Sequence, residues 1–351
     1  MTTRLTRRSA LALGGASLAG LAVPAFAQQP RVRKFAVMVP ERGTDMGWNQ
    51  QGVTSARAAA KKLGIQIEVA EGLGYGDIRP IMRELVGNGA NFIIAHASGY
   101  NTTAFEVGVE RNIPVAVVDT PRKVVRPGLV VGYALSGHEG AYMAGILAAR
   151  TTRTGTLGIV VSGEPPSWNS QSAAFAQGAR SVRSDIPIRY AVIGPAAFSD
   201  APGGRRVAEA VIAAGADTIF GQGNGATMGM LQGITTSKAT DGGPVNLIDV
   251  IGDKSAVAQG RLLSSVLWDP TETFVNMIQD VNEGKFGSRP YTIGLADGSV
   301  RLLKTPGISE PVWGELEKTR ERILKGELKV PLIVDAAQGR ALITAVQAPS
   351  S

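Results

Sequence analysis

The same helix-to-strand segment occurs twice in this sequence, and that duplication limits the possible folds more than any other feature. Residues 89–95 read G-A-N-F-I-I-A and residues 215–221 read G-A-D-T-I-F-G, each after a helical pattern. The apolar run at 35–39 aligns in the same way with 157–161. Two copies of one unit in the same order predict two similar lobes. The alternative is that any two doubly wound domains share this local pattern.

Short apolar runs alternate with helical patterns along most of the chain, beginning with F-A-V-M-V at 35–39. Runs without polar alternation indicate strands buried on both faces, and their alternation with helices indicates parallel sheets covered on both sides. The predicted fold class is therefore α/β, with two doubly wound lobes. A chain of 351 residues suffices for two such lobes.

The order of the elements also predicts where each lobe begins and ends. After the strand and loop that end at residue 253, one more short helix and strand remain before the last helices. We therefore expect a hinge of several crossings with a cleft between the lobes, the crossings lying near 120–132, 250–255 and 264–270. The expected division gives lobe 1 residues 31–130 and about 253–265, and lobe 2 residues about 131–252 and 266–345.

The first residues have the composition of an export signal. A pair of arginines precedes a mildly apolar run from 10 to 22, and A-F-A at 25–27 supplies small residues for cleavage. These features predict a signal peptide over 1–27, of the twin-arginine type and cleaved near Ala27. The mature protein is then expected in the periplasm. A transmembrane anchor is the alternative, but the apolar run is short and diluted by glycine.

Composition excludes several classes of protein and site. The sequence has no cysteine, so disulfides, thiolate chemistry and a lipid anchor on cysteine are not expected. The net charge of +7 falls by three to +4 without the predicted signal, and no basic run remains, so we expect no nucleic-acid partner. With two histidines and neither G-x-S-x-G nor H-E-x-x-H, we expect no enzyme, cofactor or metal site. The tail at 346–351 is expected to be disordered.

Two tryptophan–amide pairs follow corresponding strands of the two repeats. Trp48 and Asn49 come after the first strand of one repeat, and Trp168 and Asn169 after the first strand of the other. Ligands of open parallel sheets bind beyond the carboxyl ends of the strands. An indole offers a broad face for a planar ring, and amides can satisfy the ring edge. The pairs therefore predict a ring held from both lobes; the alternative is that each tryptophan packs at a helix N-terminus.

Acidic residues and a histidine occupy similar positions after predicted strands. Asp45, Asp119 and Asp253 can accept hydrogen bonds from ring N–H groups or ribose hydroxyls, or can cap the next helix. Asp119 is the strongest ligand candidate of the three, because no clear helix follows it. His96 ends a strand and can line the same cleft.

A glycine-rich loop at 221–226 satisfies G-x-G-x-x-A after a strand and before a helix. This pattern requires a dinucleotide-binding fold to be considered. The strand lies late in the chain, however, and its lobe repeats the first lobe rather than adding a catalytic domain. We interpret Gly223 and Asn224 as allowing the backbone to approach a ligand in the cleft.

Several segments together resemble the basic membrane protein family of bacterial ABC-transporter substrate-binding proteins, whose known members bind purine nucleosides. These segments are G-T-D-M-G-W-N-Q at 43–50, V-V-D-T at 117–120, H-E-G-A-Y-M-A-G-I-L-A-A at 138–149, F-A-Q-G-A at 175–179, A-A-G-A-D-T-I-F at 213–220, and I-G-D with S-S-V-L-W within 251–268. The resemblance implies a type I periplasmic-binding-protein fold that delivers ligand to a membrane permease with a cytoplasmic ATPase. It also implies that Trp48 is a ring-stacking aromatic followed by an amide, and that Asp119 is a cleft acid.

The chain departs from the family pattern at two candidate ligand positions. Relatives usually have G-x-D where Gly252 is followed directly by Asp253, and they commonly have a ribose-facing lysine where this chain has Trp268. An indole in place of that ammonium leads us to expect a free nucleobase or similar small heterocycle rather than a nucleoside. Two alternatives from other classes are a nucleotide-dependent reductase and a periplasmic sensor subunit that reports ligand occupancy to a membrane kinase.

Overall fold

The computed structural model describes residues 31–119 and 125–345. The predicted signal peptide at 1–27 and the predicted tail at 346–351 lie outside these residues. The described chain forms two six-stranded sheets with helices on their faces. Within this part of the chain, no helix combines the length and the apolar character needed to cross a membrane.

The first lobe is built on an all-parallel sheet. Its strands follow the order β11-β5-β4-β3-β1-β2. Its elements are β1 (Lys34–Met38), α1 (Trp48–Leu63), β2 (Gln66–Ala70), α2 (Arg79–Gly87), β3 (Ile93–Ala95), α3 (Asn101–Arg111), β4 (Val115–Val118) and β5 (Val130–Leu135), joined later by α8 (Thr271–Asn282) and β11 (Tyr291–Ile293).

The second lobe repeats this arrangement. Its strand order, β12-β10-β9-β8-β6-β7, matches the first sheet strand for strand, and only the pair β10 and β12 is antiparallel. Its elements are α4 (Gly137–Thr151), β6 (Leu157–Val161), α5 (Pro166–Val182), β7 (Ile188–Val192), α6 (Ala201–Ala213), β8 (Thr218–Gln222), α7 (Thr227–Thr236), β9 (Asn246–Ile251), β10 (Leu262–Trp268), β12 (Val300–Leu302), α9 (Glu310–Leu324) and α10 (Ala336–Thr344). The predicted duplication of lobes is therefore present in the structure.

Strand β1 shows why the sheets are buried on both faces. Phe35, Val37 and Val39 belong to one apolar core, whereas Ala36 and Met38 belong to another on the opposite face of the sheet. Successive side chains of a strand point to opposite faces, so an uninterrupted apolar run fills both cores. The sequence interpretation of this run is confirmed.

The chain crosses between the sheets at 136, at 269–270 and at 294–299. Of the expected crossing points only the one near 264–270 coincides, and residues 120–124 lie outside the described part. The placement of 253–265 in lobe 1 needs correction, because β10 pairs with β9 in the second sheet. The segment 266–345 is also divided, since β11 joins the first sheet and β12 the second. Apolar runs look alike in either sheet, so sequence order alone could not assign them.

Candidate functional site

A cavity lies between the lobes, at the carboxyl ends of the central strands. It contains about 430 Å³ of empty space, counting its open mouth. Both lobes contribute to its wall: Trp48, Tyr75, Ala97, Ser98, Val118 and Asp119 from the first, and Pro165, Ser167, Trp168, Phe198 and Asn224 from the second. A space between two lobes that is lined by aromatic faces and a few polar groups is typical of small-molecule sites.

Trp48 is the first residue of α1 and is fixed by the histidine behind it. Its Nε1 donates to the carbonyl of His96 at 2.7 Å, and the two rings stack with centroids 3.8 Å apart and planes 6° from parallel. His96 therefore covers one face of the indole and leaves the other for the cavity that Trp48 lines. Because His96 holds one face and the N–H of the Trp48 indole, the other face is already oriented for a ligand ring to stack on it.

His96 supports the cavity wall without lining it. The residue directly follows β3 and is 1% exposed, and its Nδ1 shares a hydrogen bond with the Tyr133 hydroxyl. Burial lowers the pKa of His96 to about 3, so its imidazole is neutral at physiological pH. The expectation that His96 lines the cleft is replaced by a supporting position behind Trp48.

The aromatic wall of the second lobe consists of Trp168 and Phe198. Trp168 lies in the first turn of α5 and packs edge-to-face on Phe198, with centroids 5.4 Å apart. Across the cleft, Tyr75 lies 6.3 Å from Phe198, centroid to centroid. Tyr75 is 54% exposed and stands at the mouth. Four aromatic side chains from both lobes thus line one cavity.

Sequence reasoning missed Tyr75 and Phe198. They lie in the loops that follow β2 and β7, which are corresponding edge strands of the two lobes. The signal was therefore available as a second pair of aromatics at matching places in the repeat.

Asp119 places a strained, half-buried carboxyl in the cavity wall. It follows β4 with φ of +49°, in the left-handed region that is uncommon for residues other than glycine. Burial raises the pKa of Asp119 to about 6. Among residues 31–119 and 125–345 no hydrogen-bond partner offsets this burial, so the Asp119 carboxylate is disposed to accept hydrogen bonds from a ligand.

Asp45 and Asn49 serve the start of α1 instead of the cavity. The Asp45 carboxylate accepts the backbone N–H of Gly47, Asn49 and Gln50, and the Asn49 side-chain amide donates to it at 2.7 Å. Asn49 is 1% exposed, and its side-chain oxygen accepts the N–H of Glu41. These contacts match the capping alternative, because a helix start leaves N–H groups unsatisfied.

Asn169 and Asp253 also lie apart from the cavity wall. Asn169 donates to the carbonyls of Glu164 and Val334. Asp253 is exposed, and its carboxylate accepts the N–H of Ser255. Asn169 therefore ties the start of α5 to the C-terminal segment, and Asp253 stabilises its own loop.

The residue next to Asp253 is an unexpected buried cation. Lys254 is 1% exposed, and its Nζ lies 2.8 Å from the Asp249 carboxylate and donates to the Val250 carbonyl at 2.7 Å. Desolvation raises the pKa of Asp249 despite this neighbour. The pair holds the loop after β9 in shape, and nothing in the local sequence distinguished Lys254 from a surface lysine.

Asn224 and Gly223 lie where the glycine-rich loop approaches the cleft. Asn224 lines the cavity, and its side-chain oxygen accepts the backbone N–H of Trp48 from the other lobe at 3.1 Å. Gly223 lies behind this wall, where its carbonyl accepts the Ser162 hydroxyl at 3.3 Å. The lobes therefore touch across the cavity, as in a closed cleft.

Backbone strain is concentrated around the same cleft. Seven described residues other than glycine have positive φ. Four of them, Met46, Asp119, Ala196 and Asn224, lie in loops after β1, β4, β7 and β8, and Ile251 is the last residue of β9. Each such conformation costs on the order of 1–3 kcal/mol, and strain of this kind gathers at binding and switch sites.

Trp268 lies behind the cavity wall. It is 3% exposed and meets Trp48 edge-on, with centroids 6.0 Å apart and planes at 85°. The structure thus brings Trp48, Asp119, Trp168 and Asn224 together in the wall and places Trp268 directly behind it.

Comparisons with known proteins agree with this architecture. The model of the family described as ABC transporter substrate-binding protein PnrA-like matches residues 32–333. The chain is 24% identical to basic membrane protein A1 of Borrelia garinii, over 86% of this chain and 89% of that protein. It is also 24% identical to a purine-binding protein of Brucella abortus, over 81% and 79% of the two chains.

Among solved structures, a solute-binding protein of an ABC transporter system from Aeropyrum pernix superposes with a TM-score of 0.75 at 18% identity. The match covers 89% of this chain and 96% of that one. It supports the two-lobed fold of ABC solute-binding proteins. The family binds substrates for transport and does not catalyse reactions. The chain therefore belongs to the PnrA-like, or basic membrane protein, family of ABC-transporter substrate-binding proteins.

Proposed function

We propose that this substrate-binding protein takes a planar nucleobase, or a similar small heterocycle, into the cavity between its lobes. The observation that carries the proposal is the wall itself, where Trp48 and Tyr75 face Trp168 and Phe198 across one space. Aromatic faces bind flat rings by stacking and by burying apolar area. Asp119 and Asn224 stand in the same wall and can bond to the polar edge of the ring.

A free base is favoured over a nucleoside. The buried indole of Trp268 stands where the resemblance implies a ribose-facing lysine, and it packs against Trp48. The purine-binding relative from Brucella abortus supports the ligand class.

The test is a thermal-shift and calorimetric titration with adenine, xanthine and their nucleosides. A ligand that binds only the folded protein stabilises it by about 2.7 kcal/mol at 100 times its Kd. We expect a free base to raise Tm and to bind at least tenfold tighter than its nucleoside. A clear preference for nucleosides would reject the free-base assignment, and the absence of binding by any flat heterocycle would reject the proposed cavity function.

We further propose that the ligand-bound, closed form docks on the membrane permease of an ABC importer, whose cytoplasmic ATPase drives uptake. Substrate-binding proteins of ABC transporters work with such partners. The hydrogen bond from the Trp48 N–H to Asn224 crosses the cleft and stabilises one closed arrangement of the lobes. That arrangement would present a defined surface to the permease. We also propose a periplasmic location, with export directed by a twin-arginine signal within 1–27.

Changing Asp119 to asparagine should stabilise the ligand-free protein and weaken binding. The pKa of Asp119 is raised from 3.8 to about 6, so its ionisation is disfavoured in the folded state. The stability of the wild type therefore falls as pH rises from about 4 to about 6 and stays at the lower value above that range. Two pKa units correspond to about 3 kcal/mol, which is the upper limit of the gain expected at pH 7.5.

Unfolding in urea at pH 7.5 and pH 4 checks this expectation, because the difference between the variant and wild type should vanish at pH 4. The affinity of Asp119→Asn for the nucleobase at pH 7.5 should be about tenfold lower than that of the wild type, because the variant lacks a charged acceptor. The matched control is Asp253→Asn, since Asp253 is exposed, is not part of the cavity lining and accepts the N–H of Ser255 in its own loop. A variant Asp119→Asn that is less stable than wild type at pH 7.5 would contradict the assignment.

A further inference from the structure

The end of β9 holds an isoleucine in a backbone conformation that isoleucine rarely adopts. Ile251 has φ of +74°, and the N–H of Gly252 donates to the carbonyl of Val250 at 3.0 Å. A hydrogen bond between residues two apart, around a residue of positive φ, is typical of the rare and strained form of the γ-turn. A β-branched residue at positive φ is an outlier, so surrounding contacts must hold this turn in place.

The buried ammonium group of Lys254 supplies these contacts. Its Nζ donates to the carbonyl of Val250 at 2.7 Å and more weakly to the carbonyl of Gly252 at 3.4 Å, the two carbonyls that flank Ile251. The Asp249 carboxylate lies 2.8 Å from the same nitrogen. An ammonium group has three N–H donors, which is one for each of these oxygens. Both charged side chains are buried, so water does not compete for the two carbonyls.

The turn that Lys254 holds lies against the other lobe. A Cβ placed on Gly252 would stand 2.9 Å from the carbonyl oxygen of Met46. Met46 belongs to the loop before α1 in the first lobe, and it has a positive φ of its own, +51°. The two backbones therefore approach so closely that a side chain at position 252 would not fit between them.

The same segment of the first lobe continues into the cavity wall. Two residues after Met46, the N–H of Trp48 donates to Asn224 of the second lobe, and both of these residues line the cavity. Asn224 follows β8 and Gly252 follows β9, which are neighbouring strands of one sheet. Residues 46–48 therefore contact the second lobe at two adjacent loops, and the shape of one of these loops depends on Lys254.

We propose that Lys254 is a positioning residue for closure of the lobes. Together with Asp249 it holds the strained turn at 250–252 where that turn meets the backbone of Met46, and it thereby stabilises the closed arrangement. Lys254 acts without touching the ligand, because its side chain is buried and is not part of the cavity lining. The role goes beyond the proposed function, since it applies to any molecule that is bound between the closed lobes.

The test removes the ammonium group without leaving a buried charge unpaired. In the double variant Asp249→Asn with Lys254→Met both side chains are neutral and close in size to the originals, which avoids the penalty of breaking a buried ion pair from one side. The chain has no cysteine, so spin labels on Lys61→Cys of α1 and Lys238→Cys after α7, both exposed, report the distance between the lobes. Without added ligand, the population at the closed distance should be at least about fivefold lower in the double variant than in the otherwise wild-type chain.

Substitution of Ile251 separates positioning of the turn from general stability. Glycine adopts positive φ without strain, whereas alanine shortens the side chain and keeps the strain. Added to the double variant, Ile251→Gly should restore the closed population to within about threefold of wild type, and Ile251→Ala should not. Circular dichroism shows that each protein is folded.

A measurement on the wild type needs no change to the buried pair. In protein with ¹⁵N-labelled lysine, the Lys254 ammonium should give a signal of its own, because a buried group held by three oxygens exchanges its protons slowly with water. An ammonium group that exchanges as fast as those of the surface lysines would overturn the proposal.

The matched control is Lys34→Met with Glu68→Gln, which removes an ion pair between β1 and β2 of the first lobe. It should leave the closed population unchanged. If the Asp249→Asn, Lys254→Met protein has the wild-type distance distribution, or if glycine at position 251 restores closure no better than alanine, Lys254 does not position the turn. Either result would leave the proposed binding of a heterocycle standing, because these distances are measured without ligand.

Discussion

Replacing Gly47 by valine should reduce ligand affinity more than 100-fold while each lobe stays folded. A Cβ at Gly47 would lie 2.7 Å from the side-chain oxygen of Asn224 and 2.8 Å from its Cα, across the cleft. A rotation of the Asn224 side chain cannot relieve this clash, because the Asn224 Cα belongs to the backbone. The closed arrangement would therefore be blocked, and the hydrogen bond from the Trp48 N–H to Asn224 would be lost with it.

The physical reason for so large an effect is that the ligand binds between the lobes. A ligand gains affinity only from the state in which both walls contact it, so lowering the population of that state lowers the apparent affinity in proportion. Calorimetry gives the affinity, and circular dichroism shows whether the lobes remain folded. X-ray scattering should show ligand-induced compaction in the wild type and none in the variant.

Gly76→Val is the matched control for this change. Gly76 lies in a loop of the same lobe, and a Cβ there would meet nothing within 4 Å. It should bind as the wild type does. Retention of affinity by Gly47→Val within threefold of wild type would show that the lobe contact seen here is not needed for binding.

Replacing Trp48 by leucine should weaken binding by roughly 10- to 100-fold. Stacking of a base on an aromatic side chain contributes about 1–3 kcal/mol, and leucine removes that face while keeping apolar volume. The stack with His96 and the bond to its carbonyl would also be lost, so the remaining wall would be less ordered. Calorimetric titration with the best base from the screen measures the loss.

Trp313→Leu serves as the control for that experiment. Trp313 lies on α9 of the second lobe, where Lys304 stands 5.5 Å from its ring centroid. Its removal costs some packing but should leave affinity within twofold of wild type. Equal affinity losses in the two variants would mean that Trp48 acts through general stability and not through stacking.

The fold followed from the sequence because its strands are uninterrupted apolar runs and its lobes are repeated. The apolar run at 35–39 predicted a strand buried on both faces, and the match of 89–95 with 215–221 predicted two similar lobes; the structure shows both. The exchange of strands near the C-terminus was not predictable in the same way. β11 and β12 are only three residues long, the apolar run of β10 fits either sheet, and α8 returns to pack on α1 in lobe 1.

The site was predictable in part, for a physical reason. Loops after parallel strands carry both ligand-facing residues and the caps of the next helix, and the two use the same residue types. The cavity is lined by three of the predicted residues, Trp48, Trp168 and Asp119. The Asp45 carboxylate instead accepts hydrogen bonds from the backbone N–H groups at the start of α1. Only the three-dimensional path of each loop separates the two roles.

The most direct test of a ring held between the lobes uses the indole N–H signals of the four tryptophans in the sequence, Trp48, Trp168, Trp268 and Trp313. In a ¹⁵N spectrum of protein saturated with the best base, ring currents should shift the signals of Trp48 and Trp168 strongly. The Trp313 signal should stay in place, because Trp313 lies on α9, outside the cavity wall. A saturated complex in which the Trp48 and Trp168 signals do not move would contradict the account.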